Sequence, residues 1–310
     1  MAQLAVLGAP VHRASISATN AHRTPAALRD ALARFATWDG DHGVELADLQ
    51  ALDRGDVEGD DGDTDSSEAH RRIQAGVTRA FSRAPVVVVI GGDNSLTRPA
   101  MSGAGVAVGG DNSLTRPDMS GAAVGDGGAT GLAEGWGLLT IDAHHDCRPL
   151  EGGVSNGNPV RGLIADGLPG KRVAQVGING FANHADHAEW AQAQGIHVYR
   201  AEDVRRHGMR LTIERALADL DAAGATRIYA DVDIDVADRA FAPACPASMP
   251  GGLRPPDLLE AAYLLGAEPA VRAVDFVEVD VDADVNGMTL RLMAAAFLSF
   301  CSGLGERTRP

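Results

Sequence analysis

Residues 142–149 read DAHHDCRP, which sets Asp142, His144 and Asp146 at alternate positions. On an extended strand end such positions share one side. Residues 231–235 read DVDID, alternating again, with Asp238 beyond, and Glu278 lies within AVDFVEVD. Residues 91–98 read GGDNSLTR, and residues 109–116 repeat them 18 positions on (109 − 91 = 18). Carboxylate with imidazole suits a borderline divalent cation such as manganese, and neighbouring acids repel one another without one. For DAHHD the alternative is a polar turn with capping aspartates. For DVDID, Val232 and Ile234 occupy the opposite face, and three carboxylates on one face of a buried strand are costly without a cation. An exposed edge strand with acidic gatekeepers is the alternative there, and Glu278 by itself reads equally as a surface charge.

These residues need elements to hold them. Short β-branched runs predict strands at Leu4–Leu7, Val86–Ile90, Leu138–Ile141, Val173–Val176, His197–Tyr199, Ile228–Val232 and Ala273–Val279. Pro25–Phe35 reads as a helix with Thr24 as N-cap and proline at its first position. Ser67–Phe81 carries Ile73, Val77 and Phe81 on one stripe, and His184–Gln194, Leu211–Ala223 and Pro256–Leu265 also read as helical. Runs such as VVVVI and LLTI lack alternation, as expected when both sheet faces are covered. The order predicts one α/β domain over residues 1–310, a three-layer αβα sandwich around a mainly parallel sheet. Residues Asp53–Asp65 read as a solvated acidic loop. In such sheets ligands bind beyond the carboxyl ends of the strands, and the acidic motifs directly follow predicted strands.

The composition narrows the partners. With 27 Lys and Arg against 42 Asp and Glu, the net charge of −15 argues against nucleic-acid binding; the acidic excess suggests metal cations most directly, or simply a solvated acidic surface, and a small-molecule substrate is the expected partner. The three cysteines, Cys147, Cys245 and Cys301, are scattered, which suggests a reducing compartment. No signal peptide and no apolar run near the ~20 residues of a membrane span is read from the sequence. A cytoplasmic protein without membrane association is expected.

Taken together, GGDxS, DAHxD, DxDxxD followed by FAPACPASMPGGL, and a late VEVD resemble the ureohydrolase (arginase/agmatinase) family. LGAP and TPAALRDAL extend the likeness over nearly the whole chain, and DAHHDCRP, VSNGNPVRGL and DVDIDVADRAFAPACP look most like its formimidoylglutamase branch. The resemblance implies an arginase-like fold, a homo-oligomer (trimer or hexamer), and hydrolysis of N-formimidoyl-L-glutamate to L-glutamate and formamide in histidine degradation. It implies two Mn2+ per subunit. Asn94, Asp142, Asp146 and Asp233 would hold one ion, and Asp142, His144, Asp233 and Asp235 the other. Water activated by the pair is the implied nucleophile. Asp146 would pass a proton to the departing amine, and Glu278 would orient the cationic amidine. Asp231 stands where relatives often have serine and is not counted as a ligand. Arg148 is the residue expected to grip a substrate carboxylate, with Asn156 at the amino-acid end and Arg161 and Arg98 as lesser candidates.

Two departures stand out. Asparagine replaces the histidine of GGDHS, so the first ion should bind less tightly. SNGNP lacks the histidine that arginases carry before GxP. An agmatinase or guanidinobutyrase activity, or a metal-deficient pseudoenzyme, are the competing readings. His145 is expected to face away from the metals, and Cys147 to be a small buried residue. The doubled GGDNSLTR reads as an 18-residue tandem duplication, 91–108 and 109–126, forming an inserted loop. The strand VVVVI ahead of the first copy assigns the ligand to Asn94 rather than Asn112; GAGVAV ahead of the second is glycine-broken and short.

Overall fold

In the run VVVVI, Val86, Val88 and Ile90 join one apolar core and Val87 and Val89 a second. A strand buried on both faces needs no polar alternation, which is the pattern of a helix-covered parallel sheet. The structure, a computed structural model, describes residues 2–109, 131–132 and 134–307. Its strands in chain order are β1 (Leu4–Ala9), β2 (Trp38–Asp39), β3 (Val44–Glu45), β4 (Ala51–Asp56), β5 (Val86–Gly91), β6 (Trp136–Ile141), β7 (Val173–Ile178), β8 (His197–Arg200), β9 (Arg227–Asp233) and β10 (Val271–Val277). β2 and β3 form a small antiparallel pair. The others build one eight-stranded sheet in the order β4-β1-β5-β10-β9-β6-β7-β8, and every neighbouring pair is parallel.

The helices are α1 (Thr24–Leu32), α2 (Ser67–Phe81), α3 (Thr97–Gly109), α4 (Pro159–Ala165), α5 (Ala185–Ala193), α6 (Ala201–His207), α7 (Met209–Ala222), α8 (Pro255–Ala267) and α9 (Met288–Glu306). α1 and α6–α9 cover one sheet face with Leu28, Val204, Ile213, Leu258 and Phe300. α2–α5 cover the other with Ile73, Met101, Leu163 and Ala191. The result is the expected three-layer αβα sandwich, and its main sheet is wholly parallel.

Several local expectations are corrected. Thr24 does not cap α1; it lies inside the helix, Arg23 takes the N-cap position, and the Thr24 hydroxyl donates to Val279 O at 2.8 Å. The acidic stretch Asp53–Asp65 is not all loop, because its first residues finish β4, an edge strand whose Asp53 and Asp56 pair with Arg29 at 2.8 and 2.6 Å. Charged side chains are a common way to blunt a sheet edge. Within the same stretch Asp60 is fully buried. The glycine-broken run GAGVAV forms the C-terminal half of α3. The first repeat copy therefore forms the end of β5, a short 3-10 turn and α3, not a loop. Residues 110–126 of the second copy, Asn112 included, lie outside the described residues.

The sequence reading also passed over α9, which by length and composition is apolar enough to cross a membrane. In the fold it is a core helix: 61% of its apolar window is buried, and it packs on α1 and α8. The α8–α9 crossing is close because both helices place glycine there. A Cβ on Gly266 would sit 2.0 Å from Phe300 O, and one on Gly303 2.0 Å from Tyr263 O. Gly303→Val should therefore lower the unfolding free energy by ~1–3 kcal/mol through overpacking. A denaturant midpoint equal to that of the parent chain would show that the crossing tolerates a side chain.

Candidate metal centre

The four central strands β5, β10, β9 and β6 lie side by side, and each ends in one of the acidic or amide motifs. β5 leads into Asn94, β10 into Glu278, β9 into Asp233 and Asp235, and β6 into Asp142, His144 and Asp146. Motifs 43 or more residues apart in sequence (278 − 235 = 43 at the least) thus meet at the carboxyl edge of the sheet, where α/β sheets bind ligands. Asn94, Asp142, Asp146, Asp233, Asp235 and Glu278 are all buried.

Short hydrogen bonds shape each strand end. Asp142 accepts from the backbone N–H of His144 at 2.6 Å, and Asp233 from that of Asp235 at 2.8 Å. Asp235 in turn accepts from Ala143 N at 3.1 Å and lies 2.7 Å from His144 Nδ1. Ligand atoms of Asp142, His144 and Asp235 all fall within 4.8 Å of one another. Asp146 and Glu278 have φ of +50° and +74°. Such left-handed backbone costs a non-glycine residue energy and clusters at functional sites. Glu278 Oε1 accepts from Asn94 N at 2.7 Å and from Asn156 Nδ2 at 2.9 Å.

Electrostatics shows what this cluster lacks. Burial, then the Asp235 carboxylate, pushes Asp142 up to about 7. Burial, then Asp93, pushes Glu278 up to about 8. Asp146 and Asp233 are raised well above the carboxylate range by burial and by their acidic neighbours. Burial opposes charge on His144 too, yet Asp235 and Asp142 hold its imidazolium to about 12, and His144 keeps Asp235 low despite its own burial. One imidazolium does not offset Asp142, Asp146, Asp233, Asp235 and Glu278. Protons fill the deficit in the bare protein, and a divalent cation would displace them.

The amide of Asn94 points the same way. Its Nδ2 lies 2.6 Å from Asp146 Oδ2, and its Oδ1 lies 2.7 Å from Thr97 Oγ1. Thr97 Oγ1 is also 2.9 Å from Asp275 Oδ2, so a single hydroxyl proton stands between two acceptors. A half-turn of the amide removes the conflict: Nδ2 donates to Thr97, and Thr97 donates to Asp275. Oδ1 then faces Asp146 Oδ2, a pairing that a proton or a cation between them makes tolerable. The donor set of amide oxygen, carboxylates and one imidazole fits manganese.

The family model for the arginase family matches residues 2–302. The chain belongs to the arginase family. It is accordingly a hydrolase that acts on amidines, in a family that is typically manganese-dependent. It is similar to the formimidoylglutamase of Halalkalibacterium halodurans, 33% identical over 303 residues that cover 96% of this chain and 86% of the relative. The crystal structure of the Bacillus subtilis formimidoylglutamase superposes with a TM-score of 0.85 at 28% identity, covering 98% of this chain and 88% of that one. Trypanosoma cruzi formiminoglutamase with Mn2+ shares the fold at a TM-score of 0.82 and 23% identity, over 100% of this chain and 95% of that one.

The remaining candidates of this arginase-family chain separate clearly. Arg148 lines the cavity beside the carboxylates with no ion-pair partner among the described residues, and Asn156 ties Glu278 to the segment around Ile16. Arg98 instead forms a two-point ion pair with Asp166 at 2.8 and 2.7 Å. Arg161 stacks over Trp190 at 4.8 Å, so both lesser candidates are structural. His145 turns away as expected, with Nδ1 2.7 Å from Gln175 Oε1. Cys147 is buried and its thiol donates to His145 O, while burial pushes its pKa up. Asp231 is buried opposite Asp275 on the neighbouring strand.

Three features were missed from sequence. His184 and His187 line the cavity. Thr97 and Asp275 orient Asn94. The Cys245 sulfur lies within 4.8 Å of ligand atoms of Asp233 and Asp235; burial, then those carboxylates, keeps it a neutral thiol. Its place in FAPACP, just after DVDIDVAD, was the available signal.

Two outcomes follow. Carboxyls whose folded pKa is raised stabilise the fold fully below their unfolded values near ~4, and that contribution is lost as pH rises through the folded values. With EDTA, the melting temperature should therefore fall between pH 5.5 and 8.5, by about 2–4 °C per kcal/mol lost, while Mn2+ restores stability increasingly over the same range. A flat or rising EDTA profile would contradict the proton-filled cluster. Second, Asn94→Ala should lose one Mn2+ per subunit, Thr97→Val should weaken that ion about 10–100-fold, and Asn112→Ala should change neither. Titration calorimetry reads all three, and ion loss in Asn112→Ala would move the site to the second copy.

Proposed function

We propose that this arginase-family hydrolase converts N-formimidoyl-L-glutamate to L-glutamate and formamide, using two manganese ions. Asn94, Asp142, Asp146 and Asp233 would hold one ion, and Asp142, His144, Asp233 and Asp235 the other. The observation that carries the reading is the polarity of the cavity. About 120 Å³ in volume, it is lined by the carboxylates Asp146, Asp233, Asp235 and Glu278 and by the basic or donor side chains Arg148, His184 and His187. A substrate with a cationic amidine at one end and carboxylates at the other matches both. The 33% identity to a formimidoylglutamase over 96% of the chain supports the same choice.

When bound, the ion pair supplies Lewis acidity and brings the pKa of water towards neutrality. The chain's own residues do the rest. Glu278, with Oε1 already held by Asn94 and Asn156, offers Oε2 to the amidine N–H groups and turns the carbon towards the floor of the cavity. Asp146 takes the proton released as water adds to that carbon and delivers it to the departing glutamate nitrogen, leaving formamide. Arg148 grips a substrate carboxylate, and His184 and His187 complete that end with ring N–H donors. Burial, then the Arg148 charge, lowers the His187 pKa, so His187 serves as a neutral donor.

The same arrangement disfavours agmatine, whose tail is cationic and would meet Arg148. A guanidino acid would fit the charges, so the product decides. With saturating Mn2+, formamide should be released from N-formimidoyl-L-glutamate much faster than urea from agmatine or 4-guanidinobutyrate. Arg148→Gln should raise KM about 10–100-fold, as expected for a lost charge-assisted contact. Faster urea release from the guanidino acid would reassign the substrate, and absence of turnover in manganese-loaded protein would leave a metal-binding fold without this activity.

A further inference from the structure

A second group of metal-ligand types lies apart from the carboxylate cluster. We infer that His12, His22 and Asp61 form a separate divalent-cation site of the zinc type, which clips the segment after β1 to the acidic loop after β4. A ring nitrogen of each histidine and a carboxylate oxygen of Asp61 all fall within 4.8 Å of one another. The two rings lie 4.2 Å apart between centroids, tilted by 39°.

Hydrogen-bond bookkeeping calls for either an extra proton or a metal ion here. His12 Nδ1 faces Thr19 O at 3.3 Å, so that nitrogen carries the hydrogen. The other ring nitrogen, Nε2, then presents a lone pair, yet it lies 2.8 Å from Asp61 Oδ1 and 3.8 Å from Asp60 Oδ1. Lone pair facing carboxylate is repulsive unless a proton or a metal ion sits between. His22 Nδ1 is also buried, with no hydrogen-bond partner among the described residues. Burial, then His12, lowers the His22 pKa, so a proton on each ring is not the economical solution. One divalent ion satisfies the lone pairs of both histidines and the carboxylate at once.

Two imidazoles with carboxylate is a donor set that zinc takes readily. Bond lengths near 2.0–2.2 Å in a tetrahedral site place neighbouring donors about 3.4 Å apart, so the 2.8 Å contact must open slightly. Asp61, 72% exposed, is able to move that far, and its exposure also gives an ion its entry path. Asp60 braces the site from beneath by accepting from His12 N and Arg13 N.

Such a clip has a consequence for the cavity. The segment it would fasten continues to Ile16 and Ser17, which line the cavity, and Ile16 N donates to Asn156, the residue that holds Glu278. An ion at this site would therefore steady one wall of the catalytic cavity without touching the substrate.

The test uses full-length, chelator-stripped protein and Zn2+ alone as the probe. Elemental analysis and calorimetry should give one fewer Zn2+ per subunit for His12→Asn/His22→Gln than for the parent chain, and Asp61→Asn should weaken that same ion at least tenfold. Asp142→Asn/Asp233→Asn, which breaks the carboxylate cluster, should still retain one Zn2+ that the histidine substitutions remove. Melting curves in EDTA that match the parent's show that the histidine variants fold. Equal Zn2+ stoichiometry in the parent and in His12→Asn/His22→Gln would overturn the inference and leave a protonated His12–Asp61 ion pair. Because the readout is ion count, failure here is distinguishable from absence of amidine hydrolysis.

Discussion

Asp142, Asp146, Asp233, Asp235 and Glu278 are buried together, and the repulsion among them is the constraint on which the remaining structure depends. Taking one carboxylate out of water costs several kcal/mol, and each neighbour of like sign adds to it. Among the described residues that cost is offset only in part, by the His144 imidazolium, side-chain amides, backbone N–H groups and protons on the raised carboxyls. The stability that tolerates it comes from elsewhere, from two apolar cores pressed on opposite faces of one parallel sheet. The strands between those cores are mostly aliphatic, and apart from the buried Asp231–Asp275 pair within β9 and β10 the cluster's acidic residues stand where each central strand leaves the sheet. The rigid layer lies beneath and the costly group at its rim, so the cluster gains fixed geometry from elements that lose nothing by its presence.

Strand order decides which rims meet. β5 and β6 are consecutive in the chain but separated in the sheet by β10 and β9, so the four ends that converge come from distant parts of the sequence. Backbone strain finishes the assembly. At Asp146 and Glu278 the chain enters left-handed conformations that non-glycine residues avoid, and long-range bonds secure the second of them. Glu278 N donates to Gly92 O at 2.9 Å, while its carboxylate accepts from Asn94 N. The turn after β5 and the end of β10 thereby lock each other, which a shift of either strand by one residue would undo.

How much of this was legible in the sequence depended on range. DAHHD and DVDID were readable because strand alternation is a local rule, and it placed His144 towards the cluster and His145 away from it. Unalternating runs gave the covered sheet for the same reason. α3 and α9 escaped because Gly- and Ala-rich or uniformly apolar helices show no stripe, and β4 escaped because an edge strand may carry charge throughout. The partners of Asn94 were beyond any local rule. Thr97 reaches Asp275, 178 residues away, and Tyr229 donates to that same carboxylate at 2.7 Å. Only strand register brings those residues together. The partners of Arg98 and Arg161, Asp166 and Trp190, were equally beyond any local rule.

The doubled GGDNSLTR shows the limit most sharply, because both copies offer identical side chains. In the first copy nearly every residue is used by a specific surrounding group. A Cβ on Gly92 would fall 1.7 Å from Val11 O, so the backbone must pass there bare. Asp93 caps the turn by accepting from Ser95 N, and Ser95 Oγ lies 2.9 Å from His70 Nε2. Leu96 fills the core beneath α2, Thr97 bridges to Asp275, and Arg98 is held by Asp166. Each of these partners exists once in the chain. What distinguishes Asn94 is therefore not the peptide, which recurs at 109–116, but the set of partners that surrounds its first copy.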